Sequence, residues 1–286
     1  MKIGINLLLW TDSPDDSKTS FSLFQKIKKT GYDLIELPIY NQSLQTMINV
    51  GKELDNLGLS RTAVTTCSAE QNLSSLDESI RQKGINYLKF ILDRCAAAGC
   101  ETLVGPLYIA LGHFSGAAAT LDEWNRSVDA MYQIAEYAQD VDVKLALEPV
   151  NRFENYLINC AEQAERYISN VDHPYCQIML DSFHSHIEEK SVRQAILTLK
   201  DNLIHFHISE NDRSIPGKGQ VRWQETFDAL QEIAYDGPFV IEAFGSPVKN
   251  LVAATKIWRK MFKSEDQLIQ EGLAFIQEEW GKRNNS

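Results

Sequence analysis

The sequence predicts an α/β fold. It reads as a single (β/α)8 TIM barrel over residues 1–286, with an extra C-terminal helix and polar tail over 264–286. Three observations predict it. Eight short, continuously apolar runs alternate with eight amphipathic stretches, as expected when helices cover a parallel sheet. No composition break or low-complexity segment marks a linker. Polar residues follow one strand after another on the same end, and in a barrel those ends meet at one mouth. A doubly wound sheet shares the alternation; the count of eight and the shared polar end favour closure.

The elements follow in order. Ile3–Trp10 is the first strand, and the acidic loop Thr11–Thr19 follows it. Phe21, Leu23, Phe24 and Ile27 recur at near-helical spacing until Gly31 stops the helix. Tyr32–Leu37 is strand two, closed by Pro38, which has no N–H to give a ladder. A helix at Leu44–Leu57 ends at Gly58, and Leu59–Thr65 is strand three. Ser75–Ala98 reads as a long helix with Leu76, Ile80, Tyr87, Leu88, Ile91, Leu92 and Cys95 on one stripe. Glu101–Gly105 is strand four, and Thr120 or Asp122 caps the helix that runs to Gln139. Strands five to eight are Val143–Glu148, Gln177–Asp181, Leu203–His207 and Pro238–Phe244. Helices near Cys160–Ser169, Ser191–Lys200, Trp223–Ile233 and Leu251–Phe262 separate or follow them, and Glu265–Trp280 is the added helix.

Charge narrows the partners. A net charge of −11 argues against a nucleic-acid or anionic-membrane surface. The start MKIGINLLLWTDSPDD lacks the pattern of a signal peptide, and no window approaches the roughly 18 apolar residues of a membrane span. Five scattered cysteines with no CxxC indicate neither a disulfide framework nor structural zinc. A cytoplasmic location is expected. No GxGxxG opens a helix, so no nucleotide or organic cofactor is expected.

Chemistry concentrates at four strand ends. VKLALEPVNRFE delivers Glu148 where Pro149 stops strand five; QIMLD ends in Asp181, LIHFH in His207, and FVIE in Glu242. A strand-end acid taken singly is as well explained by a barrel salt bridge. Four metal-competent side chains on four consecutive strands point instead to one divalent ion. Three carboxylates and an imidazole suit Mn²⁺, Co²⁺ or Mg²⁺ better than structural zinc. His205 shares the face of His207 one layer deeper, which favours a hydrogen-bonded core or supporting histidine. Glu154, His184 and Arg213 lie in the loops just past these ends and suit a polyhydroxylated small molecule. For Arg213 a surface arginine screened by Glu210 and Asp212 is an equal reading. Trp10, Tyr108 and Phe114 are either aromatic walls or rim packing.

These residues resemble a known family. LALEPVNRFE, IMLDSFH, HFHISENDR with PGKG after it, and VIEAF are similar to the ketose 3-epimerases of the D-tagatose, D-psicose (allulose) and L-ribulose group, in the xylose isomerase-like barrel superfamily. The resemblance implies a (β/α)8 barrel and epimerisation of a free ketose at C3. It implies a Mn²⁺, Co²⁺ or Mg²⁺ site at Glu148, Asp181, His207 and Glu242, with Glu148 and Glu242 catalytic. It implies substrate contacts from Glu154, His184 and Arg213, and more loosely from Trp10, Cys67 and Leu107, and a homodimer or homotetramer. The expected mechanism is deprotonation and reprotonation through a cis-enediolate, one glutamate on each side of C3. The alternatives are an aldose–ketose isomerase such as hydroxypyruvate isomerase, or a sugar-binding barrel without catalysis. The superfamily's DNA-repair endonucleases need more histidines and a basic surface.

Overall fold

A computed structural model of the chain describes residues 1–245 and 249–284, with side chains left aside at 249–251 and 284. Strands β1 (Ile3–Asn6), β2 (Leu34–Pro38), β3 (Ser60–Val64), β4 (Thr102–Gly105), β5 (Lys144–Leu147), β6 (Cys176–Asp181), β7 (Leu203–Ile208) and β8 (Phe239–Ile241) form a closed barrel in chain order. All pairings are parallel, and β1 closes on β8 through Ile3↔Phe239 and Ile5↔Ile241. The strands are short and almost wholly buried because helices cover their outer face. These helices are α1 (Lys18–Thr30), α2 (Leu44–Leu57), α3 (Glu78–Ala98), α4 (Leu121–Asp140), α5 (Ala161–Val171), α6 (Ser182–Glu188), α7 (Val192–Thr198), α8 (Trp223–Glu232), α9 (Lys249–Thr255) and α10 (Glu265–Asn284).

The core has two parts. The larger packs the outward strand residues against the helices; there Phe239 meets Phe227 and Trp280 edge to face, and Trp223 meets Phe275 in the same way. The smaller fills the barrel itself with Leu8, Val64, Val104, Ala146, Met179 and Phe244. Local signals act as expected at many ends. Ser17 and Ser43 accept backbone N–H bonds at the starts of α1 and α2. Thr120, rather than Asp122, caps α4, in a reciprocal box with Glu123.

Some boundaries differ from the sequence reading, each for a local reason. The first strand ends at Asn6, whose Oδ1 accepts the Leu8 N–H at 2.8 Å and turns Leu7–Leu9 into a single 3-10 turn. Helix α3 starts at Glu78 because Asp77 caps it through Ser79 N at 2.8 Å; Leu76 is left outside it and 84% exposed, not on the apolar stripe. Helix α6 is not expected from the sequence. Asp181 Oδ1 accepts the Phe183 N–H at 2.7 Å and starts it at the end of β6. Helix α9 stops at Thr255, where Lys256 takes a left-handed backbone (φ 62), short of the expected Phe262. Helix α10 runs on to Asn284, so the expected polar tail is helical as far as that residue, and Asn285 and Ser286 lie outside the described residues.

One close approach gives a stability test. A Cβ built on Gly51 of α2 comes within 2.7 Å of the Ala98 carbonyl oxygen at the end of α3. Gly51→Val should destabilise the fold by about 1–3 kcal/mol through overpacking, read as a lower midpoint of urea unfolding with unchanged slope. An unchanged midpoint would show that α2 and α3 can separate freely.

Candidate functional site

Side chains at alternate positions of each strand point into the barrel. Register then sets what meets what. Asn6 pairs with Glu36 and Glu36 with Thr62, so these three sit side by side on β1, β2 and β3. Asp181 on β6 pairs with His207 on β7. Glu148 and Glu242 are the first residues past β5 and β8, still on the inward parity.

Glu148, Asp181, His207 and Glu242 therefore converge, with one ligand atom from each lying within 4.8 Å of all the others. His207 Nδ1 lies 3.5 Å from Glu242 Oε2 and 3.9 Å from Asp181 Oδ2. On the opposite side of its ring, Nε2 is 2.7 Å from Glu36 Oε1. A proton on Nε2 leaves the Nδ1 lone pair facing the carboxylates. Nδ1 is buried without a hydrogen-bond partner of its own, an orphan that a cation would satisfy. Three carboxylates and one imidazole nitrogen form a donor set suited to a hard or borderline divalent ion. The residues present thus fit a metal.

The charges are strongly coupled. Burial and the charge of Glu242 push the Glu148 carboxyl well above its ordinary value. Burial also works against Glu242, but His207 and Arg213 outweigh it and hold that group at about 2. Burial lowers His207, whereas Glu36 and Glu242 together lift it well above the usual histidine range. These are the signs of an acidic cluster short of positive charge.

Around the quartet stand Glu154, His184 and Arg213. Arg213 is 6% exposed, so the surface reading of this residue is set aside. Its Nη1 donates to Asp181 Oδ2, to Glu242 Oε2 at 2.8 Å and to Ser209 Oγ at 2.9 Å. Its guanidinium also stacks over Phe183, 4.0 Å from the ring centre. Glu210 is no screen for it. Fully buried, Glu210 accepts from Gly217 N, Val221 N and Trp223 Nε1 at 2.8, 3.0 and 2.9 Å, and so folds the loop that carries Arg213. Arg213 itself takes a left-handed backbone, φ 59.

His184 has a defined tautomer. The Asn151 backbone N–H donates to its Nδ1 at 3.1 Å, so the ring proton sits on Nε2, 3.4 Å from Glu148 Oε1. Burial drives this histidine down to about 3, which keeps it neutral. Its 3.2 Å approach to Arg213 Nη2 then joins two donors and is a contact rather than a hydrogen bond. Asn151 Nδ2 also donates to Glu154 Oε1 at 2.8 Å, and so ties the first loop acid to the same group.

A cleft lies above the quartet. Its wall comprises Leu8, Tyr40, Val64, Thr66, Pro106 and Leu111 from the β1–β4 side, facing Glu148, Glu154, His184, Arg213 and Glu242. Trp10, Cys67 and Leu107 do not line it, against expectation. Inward parity on β3 runs Thr62, Val64, Thr66, and on β4 Val104, Pro106. Cys67 and Leu107 fall on the opposite parity, buried, with the Cys67 thiol 3.7 Å from the Leu107 carbonyl oxygen. The turn at Leu7–Leu9 likewise brings Leu8 inward and leaves Trp10 half-buried against the outer core. Tyr108 is packing, its hydroxyl 2.9 Å from the Glu148 carbonyl oxygen, while Phe114 is 44% exposed beside Tyr156.

Sequence reasoning misses Glu36. It is fully buried, receives Thr62 Oγ1 and Asn6 Nδ2 at 2.8 and 2.9 Å, and lies 3.1 Å from His205 Nε2. The available signal is an acid at an inward position of the apolar strand LIELP, which only donors or a cation make tolerable.

Comparison with known proteins agrees with this geometry. Residues 24–279 match the model of the xylose isomerase-like TIM barrel. The chain is 33% identical to the D-psicose 3-epimerase of Ruminiclostridium cellulolyticum over 274 residues, covering 93% of this chain and 92% of that protein. A solved L-ribulose 3-epimerase superposes with a TM-score of 0.92 at 29% identity, covering 99% of this chain and 96% of the other. A D-allulose 3-epimerase from Methylomonas sp., solved in complex with D-allulose, gives 0.90 at 30% identity over 98% and 97% of the two chains. The chain belongs to the xylose isomerase-like TIM-barrel family and, within it, to the carbohydrate epimerases of the ketose 3-epimerase group.

Proposed function

We propose that this protein is a metal-dependent ketose 3-epimerase that inverts C3 of a free ketose of the D-tagatose, D-psicose, D-fructose and L-ribulose class. The observation that carries the reading is the meeting of Glu148 and Glu242, from opposite sides of the mouth, in one cluster with Asp181 and His207. The relatives named above supply the substrate class. Arg213 is the one arginine or lysine among the described residues lining the cleft, and it is already committed to Asp181 and Glu242. That lining suits an uncharged sugar rather than a sugar phosphate.

The four residues of the quartet would hold Mn²⁺, with Co²⁺ or Mg²⁺ as alternatives. When bound, the cation supplies the positive charge that polarises the C2 carbonyl and so acidifies the C3 proton. Glu242 and Glu148 then act as the proton-transfer pair. One carboxylate removes the C3 proton, and the carboxyl group on the other side returns one. Reversal of the roles runs the reaction backwards, so each epimer is both substrate and product. The neutral His184 directs its Nε2 proton towards Glu148 and the sugar's O1/O2 end, and Arg213 holds the same end. Glu154, steadied by Asn151, orients a sugar hydroxyl. The resemblance adds the expectation of a homodimer or homotetramer in the cytoplasm.

Three outcomes test the proposal. Glu148→Gln and Glu242→Gln, loaded with Mn²⁺, should each lose about 10²–10⁴-fold in kcat; normal turnover by either would remove the two-base scheme. Exhaustive chelation should abolish turnover and Mn²⁺ should restore it, so full activity in a metal-analysed, chelated sample contradicts a metal site. Solvent deuterium should enter C3 of the product at early conversion. Label at C1 or C2 instead would identify an aldose–ketose isomerase, and no turnover of any ketose would leave a sugar-binding barrel.

A further inference from the structure

The inward carboxylate of β2 is the strongest feature the catalytic scheme does not use. We propose that Glu36 is a positioning residue for the candidate cation site: it fixes which nitrogen of His207 faces the quartet and, through Asn6, where the Glu242 carboxylate points. The inference rests on the metal reading above.

A carboxylate such as that of Glu36 offers about four lone-pair sites. Oε1 takes the Asn6 amide at 2.9 Å and His207 Nε2 at 2.7 Å, and Oε2 takes the Thr62 hydroxyl at 2.8 Å with His205 Nε2 3.1 Å away. Three of those sites are filled by hydrogen bonds, and both oxygens are engaged. Its orientation is set from β1, β3 and β7 at once. Because it accepts only, it keeps the proton on His207 Nε2 and presents the Nδ1 lone pair to Asp181, Glu148 and Glu242. The opposite tautomer would aim an N–H at the ion's position and a lone pair at Glu36.

A second link reaches the catalytic pair. Asn6 is fully buried, and its amide nitrogen lies 2.9 Å from Glu36 Oε1 and 3.2 Å from Glu242 Oε1. Its Oδ1 is held by the Leu8 N–H, so the amide cannot flip. One NH₂ group thus spans the supporting carboxylate and the strand-eight glutamate. A carboxylate kept only to satisfy two core histidines has no need of that bridge.

The test uses the full chain, wild type beside Glu36→Gln and Glu36→Leu, with Mn²⁺ itself as the probe. Free Mn²⁺ is followed by electron paramagnetic resonance to obtain Kd. The ¹⁴N modulation of bound Mn²⁺ reports the coordinated imidazole, and thermal unfolding of the metal-free proteins reports the fold. A glutamine in this place can still accept the Nε2–H bond but carries no charge, so Glu36→Gln should weaken Mn²⁺ binding about 10-fold and keep the ¹⁴N signal. A leucine accepts nothing, so Glu36→Leu should weaken binding about 100-fold, with the ¹⁴N signal reduced or lost. Should the leucine variant fail to fold, the glutamine variant decides alone. Folded variants that bind Mn²⁺ within about twofold of wild type, with unchanged ¹⁴N modulation, would overturn the inference and leave Glu36 a packing residue. A wild-type protein that takes up no Mn²⁺ would instead overturn the metal reading, and this inference with it.

Discussion

Acidic side chains enclosed by a barrel must find cations or hydrogen-bond donors, because the loss of water costs an unpaired carboxylate several kcal/mol. The molecule is arranged around that requirement. Glu36, Glu148, Asp181 and Glu242 all project into the upper barrel. The donors that face them arrive from every direction: Asn6 and Thr62 by strand register, His207 from β7, Arg213 from the loop above. At the centre of the quartet His207 Nδ1 still has no hydrogen-bond partner and Glu148 is pushed towards its neutral form.

Such a cluster needs a rigid frame, and the frame is built from main chain. The Ser182 hydroxyl lies 3.1 and 2.7 Å from the His207 and Ser209 carbonyl oxygens, and Ser209 Oγ reaches that of Glu242 at 3.1 Å. The ends of β6, β7 and β8 are thereby cross-tied just where they deliver Asp181, His207 and Glu242. Tyr108 performs the same service for β5. Its buried hydroxyl, which accepts from Asn155 at 2.7 Å, lies beside the carbonyls of Glu148 and Ile158. A constellation held in this way does not depend on loop ordering for its geometry.

Much of this is legible in the residues because period and chemistry coincide at strand ends. Glu148, Asp181, His207 and Glu242 each close an apolar run, and closure of the barrel is enough to bring them together. Interior positions are harder. Glu36 looks like one polar residue in an apolar strand, and its partners Asn6 and Thr62 come from other strands, so only register reveals the set. The wall is missed by a step of one or two residues: Thr66 for Cys67, Pro106 for Leu107, Leu8 for Trp10. A slip of one inverts the face of a strand, and a local turn closed by the Asn6 side chain undoes the alternation on β1. Helix α6 escapes because its start depends on Asp181, which also reads as a ligand.

The cleft is built from two unlike halves. Carboxylates and imidazoles come from β5 to β8 and the loops beyond them, while Leu8, Tyr40, Val64, Thr66, Pro106 and Leu111 come from β1 to β4. Exchange of a side chain on the second set alters the shape of the cleft without replacing any acid of the first. Wall and acids thus sit on separate strand ends, so the outline of the cleft can drift by substitution along that wall while Glu148, Asp181, His207 and Glu242 keep their places.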